Sequence, residues 1–143
     1  MRPIPDTTHF RKCLHTLESA WRLLKQASPE SIEYEIYRLA CVKEFELILE
    51  QSGKLIKKKL SPFYANPSHL DRLYFKDLFR EAHLRGIVSE KQVENWFRYR
   101  DSRNTTAHEY GALHAEATLG LLESFIIDAI SLADQIDTPP HAS

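Results

Sequence analysis

Residues 29–59 read PESIEYEIYRLACVKEFELILEQSGKLIKKK, and this stretch sets the fold class. Ile32, Ile36, Leu39, Ala40, Lys43 and Leu47 recur at the three- and four-residue spacing of one helical face. Val42, Phe45, Ile48 and Leu49 widen that band, and a helix with so broad an apolar surface needs neighbours on two sides. Ser28 followed by Pro29 marks its start, because proline suits the first helical position. The lysine run 57–59 suits the negative end of a helix, although it also reads as an RNA-binding patch. Gly53 is a place where the helix can bend, at about 1 kcal/mol relative to alanine.

The same periodicity continues on both sides. Upstream, Asp6, Thr7 or Thr8 caps a helix whose stripe is Phe10, Cys13, Leu14, Leu17, Trp21 and Leu24. Downstream, Pro62 and Pro67 bracket a loop, and Asp71 to Arg85 reads as a third helix stopped by Gly86. Ser89 and Gln92 have the spacing of a capping box for a fourth helix, with Val93, Trp96, Phe97 and Tyr99 as its core. A last helix is expected over Leu113–Ile136. Ala117, Leu121, Phe125, Asp128, Leu132 and Ile136 lie on one side of it, and Leu122, Ile126 and Ile130 beside them. With four glycines in all and few strand-like alternations, the expectation is all-α: an antiparallel bundle of four to five helices.

The chain has 143 residues, enough for one domain, with an expected core at about 7–136 and a frayed tail at 137–143. Apolar residues make up 43% and the net charge is -1. This balance argues against a nucleic-acid coat protein or a polybasic membrane binder, and leaves room for a local basic pocket. No run approaches the ~18 apolar residues of a membrane span, and the N-terminus lacks the apolar core of a signal peptide. The expected compartment is cytoplasmic. Cys13 and Cys41 each sit in an apolar helical pattern and read as small buried hydrophobes.

One segment breaks the bundle pattern. Residues 98–110 read RYRDSRNTTAHEY, and Ala107 is the sole aliphatic side chain among them. A plain connector has little use for three arginines, a histidine and two tyrosines together. On a helix at 100° per residue, Arg103, Asn104, His108 and Tyr110 fall within an arc of ~160°. Arg103 and His108 are nevertheless five apart. Either the backbone deviates near Thr105–Thr106, or the two groups converge on a shared substrate, or a second chain completes the site across a two-fold axis. Arg103 offers a fork of donors suited to phosphate. His108 exchanges a proton near neutral pH, and Asn104 can orient either group. No framed nucleophile and no metal-ligand cluster accompanies them. Arginine plus histidine without a metal suits RNA cleavage, because RNA carries its own nucleophile, the 2′-OH. The protein then has only to move protons and stabilise the charged phosphorane, giving a 2′,3′-cyclic phosphate and a 5′-OH. No cofactor is called for.

Arg103-Asn104-Thr105-Thr106-Ala107-His108 resembles the R-N-x-x-x-H core of the HEPN superfamily. With Tyr110 it resembles the R-x4-H-x-Y form of HepT toxins from MNT–HEPN toxin–antitoxin pairs, relatives of which are described as nucleotidyltransferase substrate-binding proteins. Val42–Leu47 and Phe75–Ala82 are similar to the second and third helices of that family, and Trp96 precedes the motif as in relatives. The likeness spans residues 10 to 136. It implies a HEPN-like bundle, a homodimer with the two motifs facing each other, and metal-independent ribonuclease activity. Arg103 and His108 carry over as the catalytic pair and Asn104 as their positioning partner. It also implies a cognate MNT nucleotidyltransferase antitoxin that transfers AMP from ATP to Tyr110, adding charge that repels RNA. Arg98 and Arg100 are candidates for further RNA contacts, though helix solvation explains them equally well.

Plainer readings stand beside these. His108 can cap a helix end, Arg103 can pair with Asp101 or Glu109, and Tyr99 reads as packing. His9, His15, His69, His83 and His114 lack partners at ligand spacing and read as structural or solvated. A competing functional class is a non-catalytic module that presents a substrate to the transferase, with residues 98–110 as its docking face. A helical scaffold dimer is a third.

Overall fold

The computed structural model describes residues 4–108 and 112–139, with residues 104–108 and 112–115 described as backbone helix only. Tyr110 and residues 140–143 therefore lie outside the described residues. Helix α1 (Thr8–Gln26) buries Phe10, Cys13, Leu14, Leu17 and Leu24, the expected stripe, with Trp21 half-buried at its edge. Helix α2 (Ile32–Leu60) starts later than the Ser28–Pro29 signal predicts. Ser31 is the capping residue, its side chain accepting a hydrogen bond from the Tyr34 amide at 3.1 Å, while 28–30 form the turn out of α1.

The buried face of α2 also differs from the expected one. Cys41, Phe45, Ile48, Leu49, Ser52, Leu55, Ile56 and Leu60 point inward. Ile32, Ile36 and Leu39 are 69%, 55% and 59% exposed. The inward stripe begins instead at the half-buried Tyr34 and Tyr37, which pack on the core. Both stripes have helical spacing; the one that carries the aromatic and larger aliphatic residues over the longer span is the one that α1, α3 and α6 cover.

The expected third helix divides in two. Two 3-10 turns (Ser61–Phe63 and Pro67–Arg72) precede α3 (Phe75–Leu84). The break falls at Tyr74, whose amide donates to the Asp77 carboxylate at 3.3 Å. Helix α3 ends as glycine predicts. Gly86 has φ +76, its amide donates to the His83 carbonyl and that of Ile87 donates to Ala82, a Schellman ending. Gly86→Ala places a Cβ in the left-handed region, and urea denaturation is expected to show a loss of about 1 kcal/mol.

Helix α4 (Glu90–His108) opens on the expected capping box, with the Ser89 amide donating to Gln92 at 2.8 Å and the Gln92 amide donating to Ser89 at 3.1 Å. The expected single last helix is two, α5 (Ala112–Leu119) and α6 (Leu122–Asp137), interrupted at Gly120, where a turn replaces the helical ladder.

Pairs of residues fix the directions. Asn95 meets Asp128 and Tyr99 meets Ser124, so α4 and α6 are antiparallel. Thr7 meets Asp137 and Arg11 meets Asp134, so α1 and α6 are antiparallel. Phe45 packs against Phe125 and Lys59 reaches the Ile136 carbonyl, so α2 runs parallel to α6. Helices α1, α2, α4 and α6 thus form an up-down-up-down bundle, with α3 against α2 and α4. The chain is all-α among the described residues.

The lysine run serves helix ends and surface pairing. Lys59 donates to the Ile136 and Thr138 carbonyls at the end of α6, and Lys57 pairs with Asp71. Cys13 and Cys41 are buried free thiols, and burial pushes Cys41 up to about 11. Among the described residues no helix is long and apolar enough to cross a membrane.

Candidate functional site

The site is built on α4, and its base is aromatic. Trp96 stacks on Phe79 of α3 with ring centroids 5.0 Å apart and meets Phe125 of α6 edge-on at 5.6 Å. Tyr99 meets Phe125 edge-on at 5.0 Å. Both Trp96 and Tyr99 are fully buried, so the packing reading of Tyr99 holds.

The Tyr99 hydroxyl adds a polar anchor that the packing reading leaves out. It donates to Asp128 at 2.5 Å, and the Ser124 hydroxyl lies 2.9 Å from the same phenolic oxygen. The Asn95 amide donates to the same Asp128 oxygen at 3.0 Å. Burial, together with the hydrogen bond to Asp128, pushes the Tyr99 ionisation up, so the phenol stays a donor. Asp128 itself is buried. Its place on an otherwise apolar helix face was the signal available in the sequence. One helical turn separates Tyr99 from Arg103, so this anchor sets the rotation at which α4 presents the polar segment.

The four charged side chains of that segment among the described residues fall into different environments. Arg98 is exposed and donates to Asn95 at 2.7 Å, extending the anchor outward. Asp101 pairs with Lys76 of α3 at 3.0 Å. Arg100 is half-buried, with its guanidinium 5.3 Å from the Phe75 ring centroid. Burial and then the Arg103 charge lower the Arg100 pKa, and the two cations lie three residues apart on one face of α4. Arg103 is half-buried too, and its Nε is buried with no hydrogen-bond partner. Among the described residues neither Arg100 nor Arg103 has a carboxylate partner. Two adjacent, partly desolvated guanidiniums of this kind suit phosphate.

The helix runs unbroken through Thr105 and Thr106 to His108. Of the three ways to unite Arg103 and His108, a backbone deviation at those threonines is thereby removed. Five residues of regular helix put the two about 140° apart. The side chains of Asn104 and His108 lie outside the described residues, as does Tyr110. Glu116 of α5 accepts a hydrogen bond from the Tyr34 hydroxyl at 3.0 Å, which ties the segment after the motif to α2.

The remaining histidines that are described behave as packing or surface groups: His83 Nδ1 lies 3.0 Å from the Val88 carbonyl, and His15 and His69 are exposed. Among the described residues no cluster of three or more His, Cys, Asp or Glu side chains is placed to hold a metal ion.

Comparison with known proteins adds three findings. The model of a family described as "Nucleotidyltransferase substrate binding protein like" matches residues 6–138. A Haemophilus influenzae protein named "Probable ribonuclease HepT" is 30% identical over 106 residues, 74% of this chain and 71% of that protein. A solved H. influenzae structure, described as revealing the fold of a substrate binding domain of a nucleotidyltransferase, superposes with a TM-score of 0.79 at 24% identity. That match covers 93% of this chain and 100% of the other.

Proposed function

The chain belongs to the nucleotidyltransferase substrate binding protein like family, and on that premise we propose that it is a metal-independent endoribonuclease toxin. The observation that carries this reading is Arg103, half-buried, its Nε without a partner, at the head of the Arg103–His108 hexapeptide on α4. The similarity to a protein named as a probable ribonuclease supports it.

In the proposed reaction the 2′-oxygen attacks phosphorus as His108 takes its proton. The bond from phosphorus to the 5′-oxygen breaks, and the 5′-oxygen receives a proton from the imidazolium. Arg103 stabilises the charge on the phosphorane, and Asn104 positions the pair. The 140° between Arg103 and His108 supports an active homodimer, in which RNA lies between two copies of α4. The proposed partner is a cognate MNT-type nucleotidyltransferase antitoxin. It joins the Tyr110 oxygen to the α-phosphorus of ATP and releases pyrophosphate, leaving a negative charge two residues from His108. Arg98 and Arg100 are proposed to widen the RNA-binding surface, and the compartment is proposed to be cytoplasmic.

A second reading, a non-catalytic subunit that presents substrate to a nucleotidyltransferase, is favoured by the descriptions of the family and of the solved relative. One experiment separates them. Purified protein is incubated with single-stranded RNA in EDTA, before and after co-expression with the proposed MNT-type nucleotidyltransferase. The ribonuclease reading expects cleavage to 2′,3′-cyclic phosphate ends, abolished when intact mass shows AMP on Tyr110. The presenting-subunit reading expects intact RNA with partner binding retained.

A further inference from the structure

The arginines of α4 are not equivalent. Arg98 is exposed and held by Asn95, which ties it to the Asp128 anchor. Arg100 is seated on an aromatic plate. That plate is Phe75, whose ring lies against Gly53 of α2, where a Cβ would come 3.5 Å from Phe75 Cδ2. The same ring packs on Phe79 with centroids 4.6 Å apart. Backbone on one side and a buried ring on another leave Phe75 little freedom, so the guanidinium above it is preorganised. Three residues on, Arg103 occupies the same helix face, with about 5–6 Å between the two Cβ atoms. Two cations thus lie side by side without a carboxylate between them among the described residues, and the Arg103 Nε is buried with no hydrogen-bond partner.

Resting on the ribonuclease reading, we propose that Arg100 and Arg103 form a two-phosphate clamp: Arg103 takes the reacting phosphate and Arg100 the phosphate next to it. Each phosphodiester carries one negative charge, so two diesters, not one, neutralise the pair. The substrate class that follows is a single-stranded oligonucleotide with at least one phosphate beyond the scissile one. A dinucleoside monophosphate fills only half of the clamp.

The test measures binding apart from cleavage. A fluorescent 2′-O-methyl RNA dodecamer, which cannot be cut, is titrated against the full-length protein at several salt concentrations, with a dinucleoside monophosphate as a second, competing ligand. Arg100→Gln is expected to weaken dodecamer binding roughly tenfold and to reduce the slope of log K against log salt by about 0.7. It is expected to leave dinucleotide binding unchanged. Arg100→Lys keeps the salt slope, and Lys91→Gln, at the other end of α4, behaves as wild type. Far-UV circular dichroism establishes that each variant is folded. Equal affinity and slope for Arg100→Gln and wild type overturn the clamp. So does an equal loss for dinucleotide and dodecamer, which would put both arginines on one phosphate, and so does a wild-type protein that binds neither. A protein that binds the dodecamer as described yet leaves ribo-oligonucleotides intact keeps the clamp and removes the ribonuclease reading.

Discussion

His108→Ala is expected to slow RNA cleavage by about 10²- to 10⁴-fold, and Arg103→Ala by about 10²- to 10³-fold. The two numbers have different origins. Without an imidazole, the 2′-OH must lose its proton to water, and the 5′-oxygen must leave with no acid to protonate it. Without the guanidinium, the extra charge of the phosphorane meets only solvent. Each interaction is stronger in the transition state than in the ground state, so single-turnover kinetics should show the loss in the rate at saturating RNA. Arg103 also meets the ground-state phosphate, so its loss should raise KM as well, whereas His108→Ala should leave KM near its wild-type value. The two groups act on one transition state, and the double variant is expected to lie close to the slower single variant, well above the product of the two effects. The α4 core positions Trp96 and Tyr99 are untouched in either variant, so circular dichroism and melting should match wild type. A His108→Ala protein that cuts RNA within a few-fold of wild type would remove histidine from the chemistry.

The bundle was legible because its signals are local. The α1 stripe, the Ser89–Gln92 capping box, the Gly86 stop and the buried thiols each depend on a few neighbouring residues, and each stands in the structure as expected. What was not legible depends on which neighbour arrives. Helix α2 has two apolar stripes, and the packing of α1, α3 and α6 selects the one through Phe45 and Ile48 over the one through Ile36 and Leu39. The breaks at Tyr74 and Gly120 split segments whose apolar periodicity continues across them. At the site, Arg100 and Arg103 look alike beside Arg98 in a string of letters. Their difference comes from Asn95 and Phe75, one on the same helix and one on α3.

Asp128→Ala is expected to lower stability by about 2–4 kcal/mol, roughly 8–15 °C in Tm for a chain of this size. Two donors, the Tyr99 hydroxyl and the Asn95 amide, converge on one Asp128 oxygen. Alanine strands the Asn95 amide in a region shielded from water and leaves the Tyr99 hydroxyl only Ser124 as an acceptor. The isosteric Asp128→Asn variant discriminates this account from mere loss of volume. Its side-chain oxygen can take the position that receives both donors, with its amide turned to the other side. The expected loss is then about 1 kcal/mol, the part owed to charge. In a Tyr99→Phe background the Asp128→Ala change should cost less than in wild type, by an interaction energy of about 1 kcal/mol or more, because one of the two donors to Asp128 is already gone. Tyr99 sits one turn before Arg103, so the same cycle read through RNA binding tests whether the anchor orients the arginines. A folded Asp128→Ala protein should lose dodecamer affinity in proportion to its loosened α4. Unchanged affinity with lowered stability would confine the network to holding α4 on α6.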